Sequence, residues 1–500
     1  MRLNAKQIAA CTGGQFLVDA IDPSALMTGI TWDSREVQPG WLYVALPGER
    51  VDGHDFVEAA LRAGAAGALV MQSPGRSACL LAREMGAAVI EVANTASAIT
   101  DLAREWRGHL RGRIIGLTGS VGKTTTKNLV RDVCASFGST VATRGNQNNE
   151  LGVPRTLLAA DPETAVVVVE MGMRGMGQIA ELCDFVRPDW GLVTNVGESH
   201  IELLGSRENI ARAKAELFAA LPAGTGRAFL NLGSPALGIL MDAGRLGERP
   251  VALSGFDGHP DGAAVELYER EAVACDEVVW AEDVALDAEG RPCFTLCARD
   301  RADEGDLSLF APVERCRCAL ALTGAHNVDN AVAAAAVGFA LGLDLETIAS
   351  ALGASVPEPG RQEVIAARGG FTIVNDAYNA SPDSMRASLA TFAATDVAGR
   401  RIAVLGDMGE LGSFAEPCHA GVGAAAAEAG LHRLICVGEL AASIAEGAAA
   451  AGMDAARISR AATVADVLEE LDTLLEPGDA VLVKASHFMG LNRVVEGLVR

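Results

Sequence analysis

Residues 113–137, RIIGLTGSVGKTTTKNLVRDVCASF, leave few folds open. Ile114-Ile115-Gly116-Leu117 is a short apolar run of the kind that makes a buried strand. A polar turn follows, Thr118-Gly119-Ser120-Val121-Gly122-Lys123-Thr124, and Thr125 continues it. Leu129, Val130, Val133, Cys134 and Phe137 then recur at helical spacing, and Gly138 supplies a stop. Strand, glycine turn and helix together form the context a phosphate-cradling loop needs. Glycine lets backbone N–H groups approach an anion, and a helix N-terminus adds partial positive charge. Lys123 would reach the β- and γ-phosphates, and Thr124 would ligate Mg²⁺. The loop is shorter than the usual pattern: the position six before the lysine is Leu117, and Gly116 lies one place away.

Five hundred residues allow about three domains. Half the residues are hydrophobic, many of them alanine, and no apolar run reaches the ~18 residues of a spanning helix. The opening MRLNAKQIAACTGG has no signal-peptide core. A net charge of −23 argues against a nucleic-acid partner. Eleven cysteines in a chain this long suit a reducing compartment. Cys275, Cys293, Cys297, Cys316 and Cys318 cluster, but without paired C-x-x-C spacing; PCFTLCA reads as a strand.

Residues 1–110 alternate strands and helices. Ile30-Thr31-Trp32 and residues 41–46 read as strands flanking Asp33-Ser34-Arg35, which is either an anion-binding turn or a plain surface turn. Helices are expected at about 55–63 and 95–107, the latter with Ala98, Leu102 and Trp106 inward. After the phosphate loop, TRGNQNNELGVP (143–154) holds four side-chain amides, including Asn146 and Asn149, in a loop or facing a ligand. Val166–Val169 reads as a strand buried on both faces, which puts Glu170 at its carboxyl end as a candidate Mg²⁺ ligand. Strand 191–194 leads to Asn195 and His200; a histidine there is structural or a ligand. Lys214 lies on the apolar stripe of helix 208–221, either snorkelling to water or turned into a site. Residues 222–322 carry no motif. Asn327 and Asn330 share a face at a helix start, and PEPGR (357–361) reads as an interdomain link. The remainder alternates strand and helix again, with Asp376 and Asp407 each following a strand and Ser381-Pro382 starting a helix.

These motifs resemble the Mur ligase family of ATP-dependent amide-forming enzymes along nearly the whole chain. The carriers are T-G-S-V-G-K-T-T-T-K (118–127), N-x-N-N-x-x-G-V-P (146–154), E-M-G (170–172), G-A-H-N-V-x-N-A (324–331), N-D-A-Y-N-A-S-P-D-S-M (375–385) and G-D-M-G-E-L-G (406–412). The resemblance implies an α/β chain of three domains: a UDP-precursor-binding domain at 1–110, a central P-loop parallel-sheet ATPase at 111–357, and a Rossmann-like domain at 358–500. It implies a reaction in which a precursor carboxylate takes the γ-phosphoryl group of ATP and the acyl phosphate is captured by an amine. The specific likeness is to members that join D-alanyl-D-alanine to UDP-N-acetylmuramoyl-tripeptide. By that likeness, residues 118–125, Asn327, Asn330, Arg361 and Asp376 meet ATP, and Ser34, Arg35, Asn146 and Asn149 meet the precursor. Lys123, Glu170, His200 and Lys214 carry the chemistry. Two Mg²⁺ ions would be held by Thr124, Glu170, His200 and a CO₂-derived carbamate on Lys214. A monomer in the cytoplasm is implied, without nucleic acid or membrane insertion. Where relatives read K-[A/G]-S-R, this chain has Lys484-Ala485-Ser486-His487; if that arginine binds substrate in relatives, His487 would do so more weakly. The rivals are a diaminopimelate- or lysine-adding relative, a folate-type glutamate ligase and a switch GTPase. The first calls for D-N-P-R and the last for N-K-x-D, and the chain has neither; the folate enzyme should lack the D-S-R domain.

Overall fold

The computed structural model describes residues 1–48, 51–248, 250–258, 275–300 and 312–499. The stretch 222–322 therefore lies partly outside the described residues. Among the described residues, three large sheets occupy successive parts of the chain, and a small antiparallel pair, Leu3–Asn4 with Leu26–Met27, lies at its start. The first runs Gln15–Val18, Ala88–Glu91, Gly67–Val70, Leu42–Val44, Ile30–Thr31 from edge to edge, and all but its first pairing are parallel. Helix Thr95–Arg107 is capped by Asn94 and buries Ala98, Leu102 and Trp106, as its spacing predicts. The expected helix at 55–63 is a tight 3₁₀ turn, Gly53–Phe56, followed by Val57–Arg62; Asp52 accepts from the His54 N–H and tightens the start.

The central sheet decides the site. Its described strands run Glu314–Ala319, Pro292–Asp300, Glu277–Leu286, Ala252–Asp257, Arg227–Asn231, Trp190–Val193, Arg113–Thr118, Val166–Glu170, Thr140–Ala142. Pairing is parallel except among the first three. Arg113–Thr118 sits between Trp190–Val193 and Val166–Glu170, so the chain works outward on both sides of it. Crevices at such reversals, beyond the strands' carboxyl ends, are where α/β ligands bind. Alternation fills both faces: Ile114, Val167 and Val169 join one core, while Ile115, Leu117, Val166 and Val168 join the other. The second core also takes Leu129, Val130 and Val133 and the alanines of helix Asn327–Ala340, whose small side chains let the two helices lie close. Phe137 departs from expectation. It is 49% exposed because it falls in the last turn, past the reach of the neighbouring helix.

The third sheet runs Glu363–Ala366, Thr372–Asn375, Ala480–Lys484, Arg401–Gly406, Arg433–Val437, Ile458–Ala461, parallel after its first pairing. Ser381 and Pro382 start helix Pro382–Ala394. PCFTLCA lies in strand Pro292–Asp300, as read, and its Cys293 and Cys297 are free thiols. Among the described residues no helix is long and apolar enough to cross a membrane.

Candidate active site

A cleft of about 1250 Å³ opens between the central and third sheets. Its floor is the loop that follows Arg113–Thr118. Gly122 has φ +75°, and a Cβ there would stand 2.5 Å from Asn330 Oδ1. A Cβ on Gly119 would stand 1.9 Å from Thr194 Oγ1. Both positions therefore require glycine, for backbone shape at the first and for space at both. Asn195 braces the loop from the next strand end: the Val121 N–H donates to its Oδ1 (3.0 Å), and its Nδ2 donates to the Val121 carbonyl (3.0 Å). Asn195 carries no motif of its own; only its place after an apolar strand marks it in the sequence. Ser120, Val121, Gly122, Lys123, Thr124 and Thr125 line the cleft, whereas Thr118 and Gly119 lie beneath it. Lys123 Nζ folds back onto the carbonyls of Gly119 (2.9 Å) and Ser120 (3.2 Å). Burial, opposed by the Glu170 charge, lowers its pKa.

Glu170 ends its strand beside this loop and is 1% exposed. Its Oε1 accepts from Thr124 Oγ1 (3.3 Å) and Asn148 Nδ2 (2.8 Å). Its Oε2 is buried without a hydrogen-bond partner. A buried carboxylate oxygen is costly without a partner, so this atom fits a cation. The amide at the site is thus Asn148. Asn149 spends its Oδ1 on the Gly152 N–H at the start of helix Gly152–Ala159, although it and Asn146 also line the cleft.

Lys214 is buried at 1% exposure in helix Arg207–Ala219, so it faces inward rather than snorkelling. It lies behind the cleft wall rather than on it. Burial, reinforced by the Lys123 charge, drives its pKa well below the usual lysine value. His200 has a left-handed backbone, φ +65°, and lines the cleft. Its Nδ1 pairs with Glu410 of the G-D-M-G-E-L-G loop, which also pairs with Arg174.

The third sheet supplies the other wall. Arg361 Nη2 donates to Thr124 Oγ1 (3.0 Å), and its guanidinium lies 4.3 Å from the centre of the Tyr378 ring. Asp376 lines the cleft with its carboxylate already engaged: Lys484 Nζ donates to its Oδ2 (2.7 Å) from the adjacent strand, and the Gln362 N–H donates to its Oδ1 (3.3 Å). Asp407, which also follows a strand, accepts at Oδ1 from the Ala441 N–H (2.7 Å) and caps the helix that starts there. Asn327 and Asn330 stand over the loop as a linked pair. Asn330 Nδ2 donates to Asn327 Oδ1 (2.8 Å), and Thr126 donates to Asn330 Oδ1 (2.9 Å). His487 lines the cleft, its ring 5.7 Å from that of Tyr378. Ser34 and Arg35 are not brought here. Arg35 is exposed and forked onto Asp33 (2.8 and 2.6 Å), which holds that carboxyl down at about 2. The adjoining Glu36 ties their turn to Arg155, just after the asparagine loop.

Three family models cover most of the chain: the Mur ligase family catalytic domain at 26–107, the Mur ligase middle domain at 117–338, and the Mur ligase glutamate ligase domain at 360–487. The chain belongs to the Mur ligase family. Among curated Mur ligases, it is 37% identical to the UDP-N-acetylmuramoyl-tripeptide–D-alanyl-D-alanine ligase of Mycobacterium tuberculosis strain H37Rv, covering 100% of this chain and 98% of that protein. The enzyme of the same name from Bacillus subtilis is 34% identical, over 94% and 93%. Among solved Mur ligases, MurF from Acinetobacter baumannii superposes with a TM-score of 0.80 at 28% identity, over 100% and 99%. MurF from Thermotoga maritima, solved in complex with ADP, gives 0.72 at 26% identity, over 94% and 97%.

Proposed function

We propose that this protein is the ligase that joins D-alanyl-D-alanine to UDP-N-acetylmuramoyl-tripeptide, with ATP giving ADP and phosphate. The observation that carries the reading is Arg361 of the third sheet meeting Thr124 of the phosphate loop across the cleft. That contact puts a fixed cation where a nucleotide's terminal phosphates would lie against the loop. Full-length likeness to ligases of that name supports the choice of substrates.

The tripeptide's terminal carboxylate oxygen would form a bond to the γ-phosphorus while the bond to the β-phosphate oxygen breaks and ADP leaves. The amine of the dipeptide would then attack the acyl carbon and expel phosphate, the amine losing its proton. Both partners of the first step are anions, so the chain must place cations around them. Lys123 would exchange its two carbonyl partners for phosphate oxygens, and Arg361 would meet the same charge from the other wall. Asn327 and Asn330 would hold the loop's far side against ATP. Asp376 would act through Lys484 and the Gln362 N–H, fixing the strand end that faces the nucleotide. Asn148 orients Glu170, while Asn146 and Asn149 face the precursor's peptide. Ser34 and Arg35 would take the UDP end at some distance, which matches domains at 1–110, 111–357 and 358–500.

Thr124, Glu170 and His200 would hold Mg²⁺, probed most directly at the unpartnered Glu170 Oε2. When bound, Mg²⁺ would neutralise phosphate charge in transfer. A carbamate on Lys214 is the finer reading. What supports it is a buried amine with no acidic side chain paired to it among the described residues, where burial and the Lys123 charge lower its pKa and so favour the neutral amine that CO₂ requires. Lys214→Ala should lose activity that bicarbonate does not restore; a fully active variant would remove the carbamate. We place the enzyme in the cytoplasm as a monomer.

The deciding experiment measures phosphate release with ATP and Mg²⁺, adding UDP-N-acetylmuramoyl-tripeptide and D-alanyl-D-alanine singly and together. Release that needs both, with a UDP-pentapeptide product by mass, is expected. Release that needs neither would sink the assignment.

A further inference from the structure

The G-D-M-G-E-L-G loop is fastened to the third domain. Asp407 caps the helix starting at Ala441, the Met408 N–H donates to His419 Nε2 (2.9 Å), and the Gly409 N–H donates to Ser486 Oγ (3.0 Å). Met408 and Leu411 are buried beneath it. The side chain of Glu410 leaves this anchored set and crosses to the central domain, where it meets His200 Nδ1 and Arg174. Glu410 has φ +61° and His200 has φ +65°. Two non-glycine residues in left-handed backbone, facing each other across a domain boundary, are held there by their surroundings.

The chemistry of the contact is directional. A carboxylate only accepts, so His200 Nδ1 must carry the proton. In the neutral ring, Nε2 then presents its lone pair, the form in which imidazole binds a metal. His200 Nε2 has no protein partner among the described residues.

We propose that Glu410 is a positioning residue that couples closure of the third domain to assembly of the metal site. With the domain closed, Glu410 fixes the tautomer and direction of His200; with it open, His200 loses that partner and the site is incomplete. The cleft would thus hold its metal tightly only when the third domain is in place. This rests on His200 being a metal ligand, and the test separates the two ideas.

The full-length protein is titrated with Mn²⁺ in the presence of ADP. Bound Mn²⁺ and its coupling to imidazole nitrogen are read by electron paramagnetic resonance, and closure is read by small-angle X-ray scattering. His200→Ala should abolish the nitrogen coupling; retention of coupling there would take down the ligand reading and the proposal with it. Glu410→Ala should weaken Mn²⁺ binding about 10-fold or more and lose the coupling. Glu410→Gln keeps an acceptor oxygen and should restore most of both, which also guards against a folding defect in the alanine variant. Arg174→Ala removes the loop's other ion pair and should leave the coupling intact. If Glu410→Ala keeps wild-type Mn²⁺ affinity and coupling, or if Arg174→Ala loses them equally, Glu410 is only a latch and the proposal fails.

Discussion

The central and third domains face the same cleft with similar parallel sheets, yet they deliver their groups differently. In the central domain, functional atoms sit on strand ends or one residue beyond them, and neighbouring strands fix them. Glu170 closes its strand, Asn195 follows the adjacent one, and the phosphate loop is pinned between Asn195 and Asn330. In the third domain, the reaching groups are long side chains on links and loops: Arg361 on PEPGR and Glu410 on its glycine-flanked loop. The first set is in place whether or not the domains meet. The second set exists at the site only when they do. On the proposed function, one domain would bind and the other would license the reaction once binding is complete.

Lys123→Ala tests the binding side and should have the largest effect. Losing a fixed cation against developing phosphate charge should lower kcat by about 10²–10³-fold. Steady-state phosphate release checks this, and normal turnover would disprove the phosphate-loop assignment. Arg361→Ala tests the licensing side. It should lower kcat about 10- to 100-fold, the value of a hydrogen bond to a charged group, while ADP binding changes little. Arg361→Lys should not rescue it, since a lysine cannot both stack on Tyr378 and fork toward an anion. Calorimetry with ADP beside the kinetic assay separates the two; a loss of ADP affinity as large as the loss in kcat would erase the distinction between the domains.

Asn195→Ala sharpens it further, at a smaller scale. It deletes both braces on Val121, each an ordinary hydrogen bond, and should weaken nucleotide binding by about tenfold. Asn149→Ala removes a helix-start contact instead and should lower the melting temperature with little change in nucleotide affinity.

The same contrast explains what could be read from the residues alone. The phosphate loop, the buried valine strand and Glu170 at its end were legible because each depends on a few consecutive residues and their period. Lys214 was legible as a lysine on the apolar stripe, because helix spacing puts it there, but spacing could not choose between snorkelling to water and turning inward. The asparagine loop was legible only as a group. Four amides fill four consecutive positions, and which one meets Glu170 depends on how the loop folds back over Gly172. Asp376 and Asp407 looked alike, each after a strand. One found Lys484 because Ala480–Lys484 pairs beside Thr372–Asn375, and the other found the N–H of Ala441. Strand order is not written in local pattern. The His200–Glu410 pair spans 210 residues and two domains, so no spacing could announce it.

The smallest prediction concerns pH and the seam between the two domains. His326, in the central domain, has its pKa lowered to about 4 from 6.5, chiefly by burial; Asp376 opposes this and Lys484 adds to it, both from the third sheet. The folded state thus holds the ring neutral where the unfolded chain would protonate it. Between about pH 6.5 and about 4 the unfolded chain binds more protons, so stability should fall as pH falls through that window. Above 6.5 the contribution is constant. The side chain is partly open to the cleft, so the loss should be on the order of 1–2 kcal/mol rather than the full shift. Urea unfolding across the window should show this slope, and His326→Gln should flatten it. Lys484→Met should reduce the slope, because removing that cation lets the folded pKa rise. An unchanged slope in both variants would mean that the two domains do not meet at this ring in solution.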